Sequence, residues 1–185
     1  ILALPQYAHL ADSKNNLNPA LKETYTFLEN ILNEEMECYS SPLFNINCDE
    51  TEALGTGAAA KYVRKVGAGK AYTKDVNEDL IHWIGAVAVF AHIRKGGKKT
   101  LMWADIVLKD NEIQKMLPKD IQMLVWSYVP SDSFRQMIRP VKEAGFDFWV
   151  VPGVSMWSTV FPDMPSYEKN IANFARDGYQ LGAKG

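Results

Sequence analysis

Cysteine is scarce in this chain: Cys38 and Cys48 are the only two in 185 residues. That excludes a disulfide framework and a CxxC-type metal array, and it leaves Cys48 best read as a small apolar packing residue. No basic arm or Lys/Arg-rich block occurs, and the formal net charge is -2. Charge therefore argues neither for nucleic acid nor for an anionic membrane as partner. The longest apolar run, Ile81 to Ile93, falls short of the ~20 residues that span a bilayer. Phosphate chemistry is disfavoured too, because GTGAAAK lacks the GK[ST] ending of a phosphate loop. His9, His82 and His92 have no partners at metal-ligand spacing, so neither a metal nor a cofactor is expected. The first residue is Ile1 and no signal peptide is visible, which leaves localisation open.

What is present is the composition of an ordinary globular protein, 47% hydrophobic and 23% charged, at a length that suits a single region over 1–185. Asn18 and Pro19 read as a helix start, followed by an apolar face of Leu21, Tyr25, Leu28, Ile31, Leu32 and Met36. LFNIN, residues 43–47, alternates like a strand. GTGAAAKYVRKVGAGKAY then reads as a glycine-bearing loop leading into helix, and NEDLIHWIGAVAVFAHIRK as a buried or contact-forming helix closed by Gly96 and Gly97. From Thr100 three apolar runs, TLMWADIVL, IQMLVWSYV and FDFWVVPGV, alternate with the helices NEIQKMLP and SDSFRQMIRPVKEAG. In the second of these, Phe134, Met137, Ile138 and Val141 share a face. SYEKNIANFARDGYQLGAKG gives a last helix with Tyr167, Ile171, Phe174 and Leu181 inward. Strands apolar on both faces and separated by helices predict an α/β fold, with parallel strands covered by crossover helices.

In such sheets ligands sit at the carboxyl ends of the strands. The first strand runs out into Asp49 and Glu50, the second into Trp103 and Asp105, the third into Trp126 and Tyr128, and the fourth into the loop bearing Trp157. Each has a duller explanation alone: an acid can cap a backbone N–H, and a tryptophan can be core. Together they describe a cup with indole walls and a carboxylate floor. That chemistry suits a pyranose, whose C–H faces stack on aromatics while its hydroxyls need acceptors.

LFNINCDETEALGTG resembles the acid-bearing strand of family 20 glycoside hydrolases, the beta-N-acetylhexosaminidases, and the likeness continues through LMWADIVLKDNEI, LPKDIQMLVWSYVP, AGFDFWVVPGVSMWSTVFPD and NIANFARDG. The most specific element is the Asp49–Glu50 pair, supported by Trp103. Many members carry His and two glycines before the acids, where this chain has Asn45, Ile46, Asn47 and Cys48. The resemblance implies part of a (β/α)8 barrel, about strands four to seven, and a glycan containing N-acetylhexosamine as substrate. It implies a retaining mechanism in which the substrate's own 2-acetamido group is the nucleophile. Glu50, shielded by an apolar wall, would be the acid and base, and Asp49 would hold the acetamido N–H. Trp103, Asp105, Trp126, Tyr128, Trp157 and Asn47 would bind substrate. Four strands leave two open edges, so self-association or pairing with a complementary barrel half is expected. A noncatalytic carbohydrate-binding or half-barrel assembly module is the competing reading.

Overall fold

The computed structural model describes residues 1–51, 54, 57–60, 80–109, 111–157 and 160–185. They form two compact units, Ile1–Phe44 with Thr51–Lys98, and Asn45–Glu50 with Lys99–Gly185. Most of the expected loop and helix GTGAAAKYVRKVGAGKAY lies outside the described residues. Among the described residues, no helix is long and apolar enough to cross a membrane.

The first unit pairs two helices, α1 (Lys22–Cys38) and α2 (Leu80–Lys95). Helix α1 begins later than Asn18–Pro19 predicts, because Asn18 is spent on the preceding turn. Its Oδ1 accepts Ala20 N–H at 3.0 Å and its carbonyl accepts the Thr24 hydroxyl at 2.7 Å. The helices approach at Gly85, where an added Cβ would stand 2.8 Å from the Tyr25 hydroxyl. Gly97, at φ +80, follows the end of α2 as expected, and Lys98 N–H reaches back to the Ile93 carbonyl at 3.2 Å. Buried Asp12 binds the same unit together: it accepts Ala59 N–H at 2.5 Å and faces His82 Nε2 at 3.1 Å.

The second unit carries the sheet. Its strands are β1 (Leu43–Asn45, which crosses the boundary between the units), β2 (Lys99–Trp103), β3 (Gln122–Ser127) and β4 (Asp147–Pro152), in the order β1-β2-β3-β4. β2, β3 and β4 run parallel, with Trp103 level with Leu124 and Trp126 level with Val151. Helices α3 (Asn111–Met116), α4 (Arg135–Glu143) and α5 (Met164–Leu181) complete the α/β pattern. Two strands are shorter than their sequence runs. LFNIN leaves strand geometry after Asn45 because Asn47 and Cys48 have φ of 62° and 68°, and TLMWADIVL stops at Trp103, with Val107–Lys109 in a 3-10 turn.

Two helix faces differ from the periodic reading. On α4, Ile138 and Val141 are buried as expected, but Met137 is 38% exposed. On α5 Ile171 is 41% exposed, and the buried line is Asn170, Phe174, Asp177 and Gly178. Apolar counting misses this face because two of its members are polar and one is glycine. Each has a structural reason. Asn170 Nδ2 donates to the carbonyls of Ser127 and Gly153, both at 2.8 Å, and so ties the end of β3 to the residue after β4. At Gly178 a Cβ would stand 2.6 Å from Val150 Cγ2, so the helix lies directly on β4 only because that position is bare. Phe174 stacks on Phe134 at 4.2 Å between centroids.

One of the two edges expected to be open is partly occupied. Lys184 N–H donates to the Phe148 carbonyl at 2.8 Å and Val150 N–H to the Gly185 carbonyl at 3.0 Å, which lays the last residues along β4.

Candidate active site

Parallel register decides which side chains meet. Alternate residues of a strand face opposite sides of a sheet, so Trp126 and Tyr128 share a face at the end of β3, and Val151 and Gly153 do the same at the end of β4. Trp103 ends β2 on that face. With Asp49 and Glu50 these residues line one hollow that is open to solvent. The acids arrive there because the chain stays attached to β2 past the end of β1: Ile46 N–H donates to the Leu101 carbonyl at 3.1 Å, and Trp103 N–H to the Asn47 carbonyl at 2.9 Å.

Beyond that attachment the backbone is unusual. Asn47, Cys48 and Glu50 have φ of 62°, 68° and 45°. Such values are rare for residues with side chains and concentrate at functional sites. Glycine takes this conformation without steric cost, and none of the three is glycine. Asp49 and Glu50 are both exposed, so the described residues do not supply the apolar shielding expected around Glu50.

The aromatic residues form a connected row. Trp126 lies 5.2 Å from Tyr128 between ring centroids, and Tyr128 meets Trp157 edge-on at 4.3 Å. Tyr128 in turn lies close against the backbone after β4, where a Cβ on Gly153 would come within 2.1 Å of its ring. Trp157 is 68% exposed and does not line the hollow.

Two other expected substrate-binding residues also stand back from it. Asn47 is exposed beside the hollow, and its N–H bonds to the Asn45 side chain at 3.0 Å. Asp105 turns its carboxylate toward the protein: Oδ2 accepts the Glu50 N–H at 3.1 Å and Oδ1 the indole N–H of Trp126 at 3.4 Å. Burial, Asp49 and Asp105 together push the Cys48 thiol up to about 12, so it stays protonated and is no nucleophile near neutral pH.

Sequence reasoning missed Asn170 and Gly153 as shapers of this end of the sheet. A signal for Gly153 existed in the Pro152–Gly153 pair that closes β4. Asn170 carried none, since its face is legible only once the helix is placed.

Comparison with known proteins bears on this arrangement. The family model for the catalytic domain of glycosyl hydrolase family 20 matches residues 4–167. A beta-hexosaminidase 1 from Coccidioides posadasii is 26% identical over 114 residues, 60% of this chain and 18% of that protein. Two crystal structures superpose well: a beta-N-acetylhexosaminidase from Bacteroides fragilis (14% identity, TM-score 0.59, 82% of this chain and 29% of that one) and an exo-beta-N-acetylglucosaminidase from Vibrio harveyi in complex with N-acetylglucosamine (20% identity, TM-score 0.60, 80% and 23%). At these identities the likeness is one of fold, and it makes the four-stranded parallel sheet part of a (β/α)8 barrel. The chain spans less than a third of the length of each of these relatives. The family match takes in most of the sequence, strand ends and acid pair included, and the chain belongs to glycosyl hydrolase family 20.

Proposed function

We propose that this chain carries the acid–base and acetamido-binding side of a site that releases terminal N-acetylhexosamine from a glycan. The observation that carries the reading is that Asp49 and Glu50 line the same hollow as Trp103, Trp126 and Tyr128. Glu50 would protonate the glycosidic oxygen as the bond to the anomeric carbon breaks. The substrate's acetamido oxygen attacks that carbon from the other face, and Asp49 accepts the acetamido N–H and balances the positive charge of the oxazolinium ion. Glu50, now a base, then takes a proton from the water that reopens the ring with net retention. Trp103 and Trp126 pack on the acetamido group and sugar ring, with Tyr128 as a hydrogen-bond donor and Trp157, Asn47 and Asp105 around them.

A neutral glycan, rather than nucleic acid or a membrane surface, suits a chain of formal net charge -2. Pairing with a second copy or a complementary barrel half would enclose the site. The test is hydrolysis of an aryl N-acetyl-β-glucosaminide by the chain and by Glu50→Gln. Loss of turnover in the variant is expected, and equal rates would overturn the assignment.

The exposure of Glu50 favours a second reading, a noncatalytic sugar-binding or assembly module. Binding of N-acetylglucosamine without turnover in either protein would select it.

A further inference from the structure

Asp105 follows β2 by two residues, and its two carboxylate oxygens serve two sides of the hollow. One accepts the backbone N–H of Glu50 at 3.1 Å, and the other accepts the indole N–H of Trp126 at 3.4 Å. The donors lie 55 and 21 residues away in sequence, so no local turn explains the contact. Glu50 has φ of 45°, a conformation that side-chain-bearing residues keep only where their surroundings hold them. The bond to Asp105 is such a hold, and it acts on the backbone of the acid rather than on its carboxyl group. A sugar hydroxyl reaching Asp105 would have to compete with both donors.

We propose that Asp105 is a positioning residue, which fixes the backbone of Glu50 and the indole of Trp126 at a set separation, and not a sugar ligand. This rests on Glu50 acting as the acid: protonation succeeds only if the carboxyl meets the glycosidic oxygen while the ring lies on its aromatic wall. Displacing an acid by about 1 Å is enough to cost ~10²-fold in rate.

The test uses the full chain, Asp105→Ala and Asp105→Asn, with two readouts. Solvent exchange of the Glu50 amide and Trp126 indole protons, followed by NMR, reports the tie itself. Turnover of 4-nitrophenyl N-acetyl-β-glucosaminide, separated into kcat and KM, reports its effect. In Asp105→Ala both protons are expected to exchange at least ~10-fold faster and kcat to fall ~10²-fold, with KM changing less than ~3-fold. Asp105→Asn keeps one acceptor oxygen, so it should protect one of the two protons and show an intermediate kcat. Unchanged exchange at either proton in Asp105→Ala overturns the proposal, as does a raised KM at unchanged kcat, the signature of a lost sugar contact. If the unsubstituted chain turns nothing over, the catalytic reading fails by itself. The exchange rates then decide alone: paired loss of protection upholds the tie, and its absence overturns it.

Discussion

The carboxylate of Asp177, buried on α5, receives the backbone N–H of Phe134 at 2.8 Å, just where α4 begins. The Ser133 hydroxyl donates to the same oxygen at 2.8 Å, and Arg176 Nε to the other at 3.0 Å. Burial alone would raise the pKa of this acid, but the bonds from Phe134, Ser133 and Arg176 outweigh it and hold the pKa below the usual carboxylate value. A pKa lower in the folded state than in the unfolded one adds stability above the unfolded value, and that stability disappears as pH falls through the folded value. Asp177→Asn should therefore destabilise near neutrality by about 1.5–3 kcal/mol, the range for bonds to a charged group. Thermal melts from about pH 7 down to about pH 2 should show the gap to the parent closing in acid. A gap independent of pH would refute the mechanism.

Phe174 is fully buried and stacks on Phe134 with only 14° between the ring planes. Phe174→Ala removes the main apolar contact of α5 and should cost about 3–5 kcal/mol in urea unfolding. A loss below about 1 kcal/mol would mean that the helix is held chiefly by Asn170 and Asp177.

Gly153→Ala should separate binding from stability. The new methyl group meets the Tyr128 ring, which is 40% exposed and has room to swing outward. Weaker N-acetylglucosamine binding, read from tryptophan fluorescence, is expected alongside a change in the near-UV circular dichroism of the aromatic row. Unaltered spectra would show that Tyr128 does not rest on this position.

At Cys48 two effects point the same way. Its φ of 68° is strained for a residue with a Cβ, so Cys48→Gly should stabilise the fold by about 1 kcal/mol in chemical denaturation. Its thiol, held protonated, should resist Ellman's reagent at mildly alkaline pH while exposed Cys38 reacts. Equal labelling of both cysteines would contradict the burial described.

The strands were legible because the sheet buries both their faces: Met123, Leu124 and Val125 are consecutive in sequence and all buried. Trp103 and Trp126 were legible at the strand ends because period two and parallel pairing leave little freedom in where they point, whereas the acids lie past β1 in a turn that period two does not govern. The face of α5 was not legible. Its inward positions hold Asn170 and Asp177, whose value lies in satisfying the carbonyls of Ser127 and Gly153 and the N–H of Phe134, groups that are far away in sequence. The left-handed turn at Asn47 and Cys48 escaped for another reason: Asn takes the conformation more readily than most residues but is too common to mark a turn alone, and Cys48 gives no local sign of it.

The bonds from Lys184 and to Gly185 along β4 bear on assembly. They put main chain beside Phe148 and Val150, the place where a (β/α)8 barrel seats the strand that follows β4.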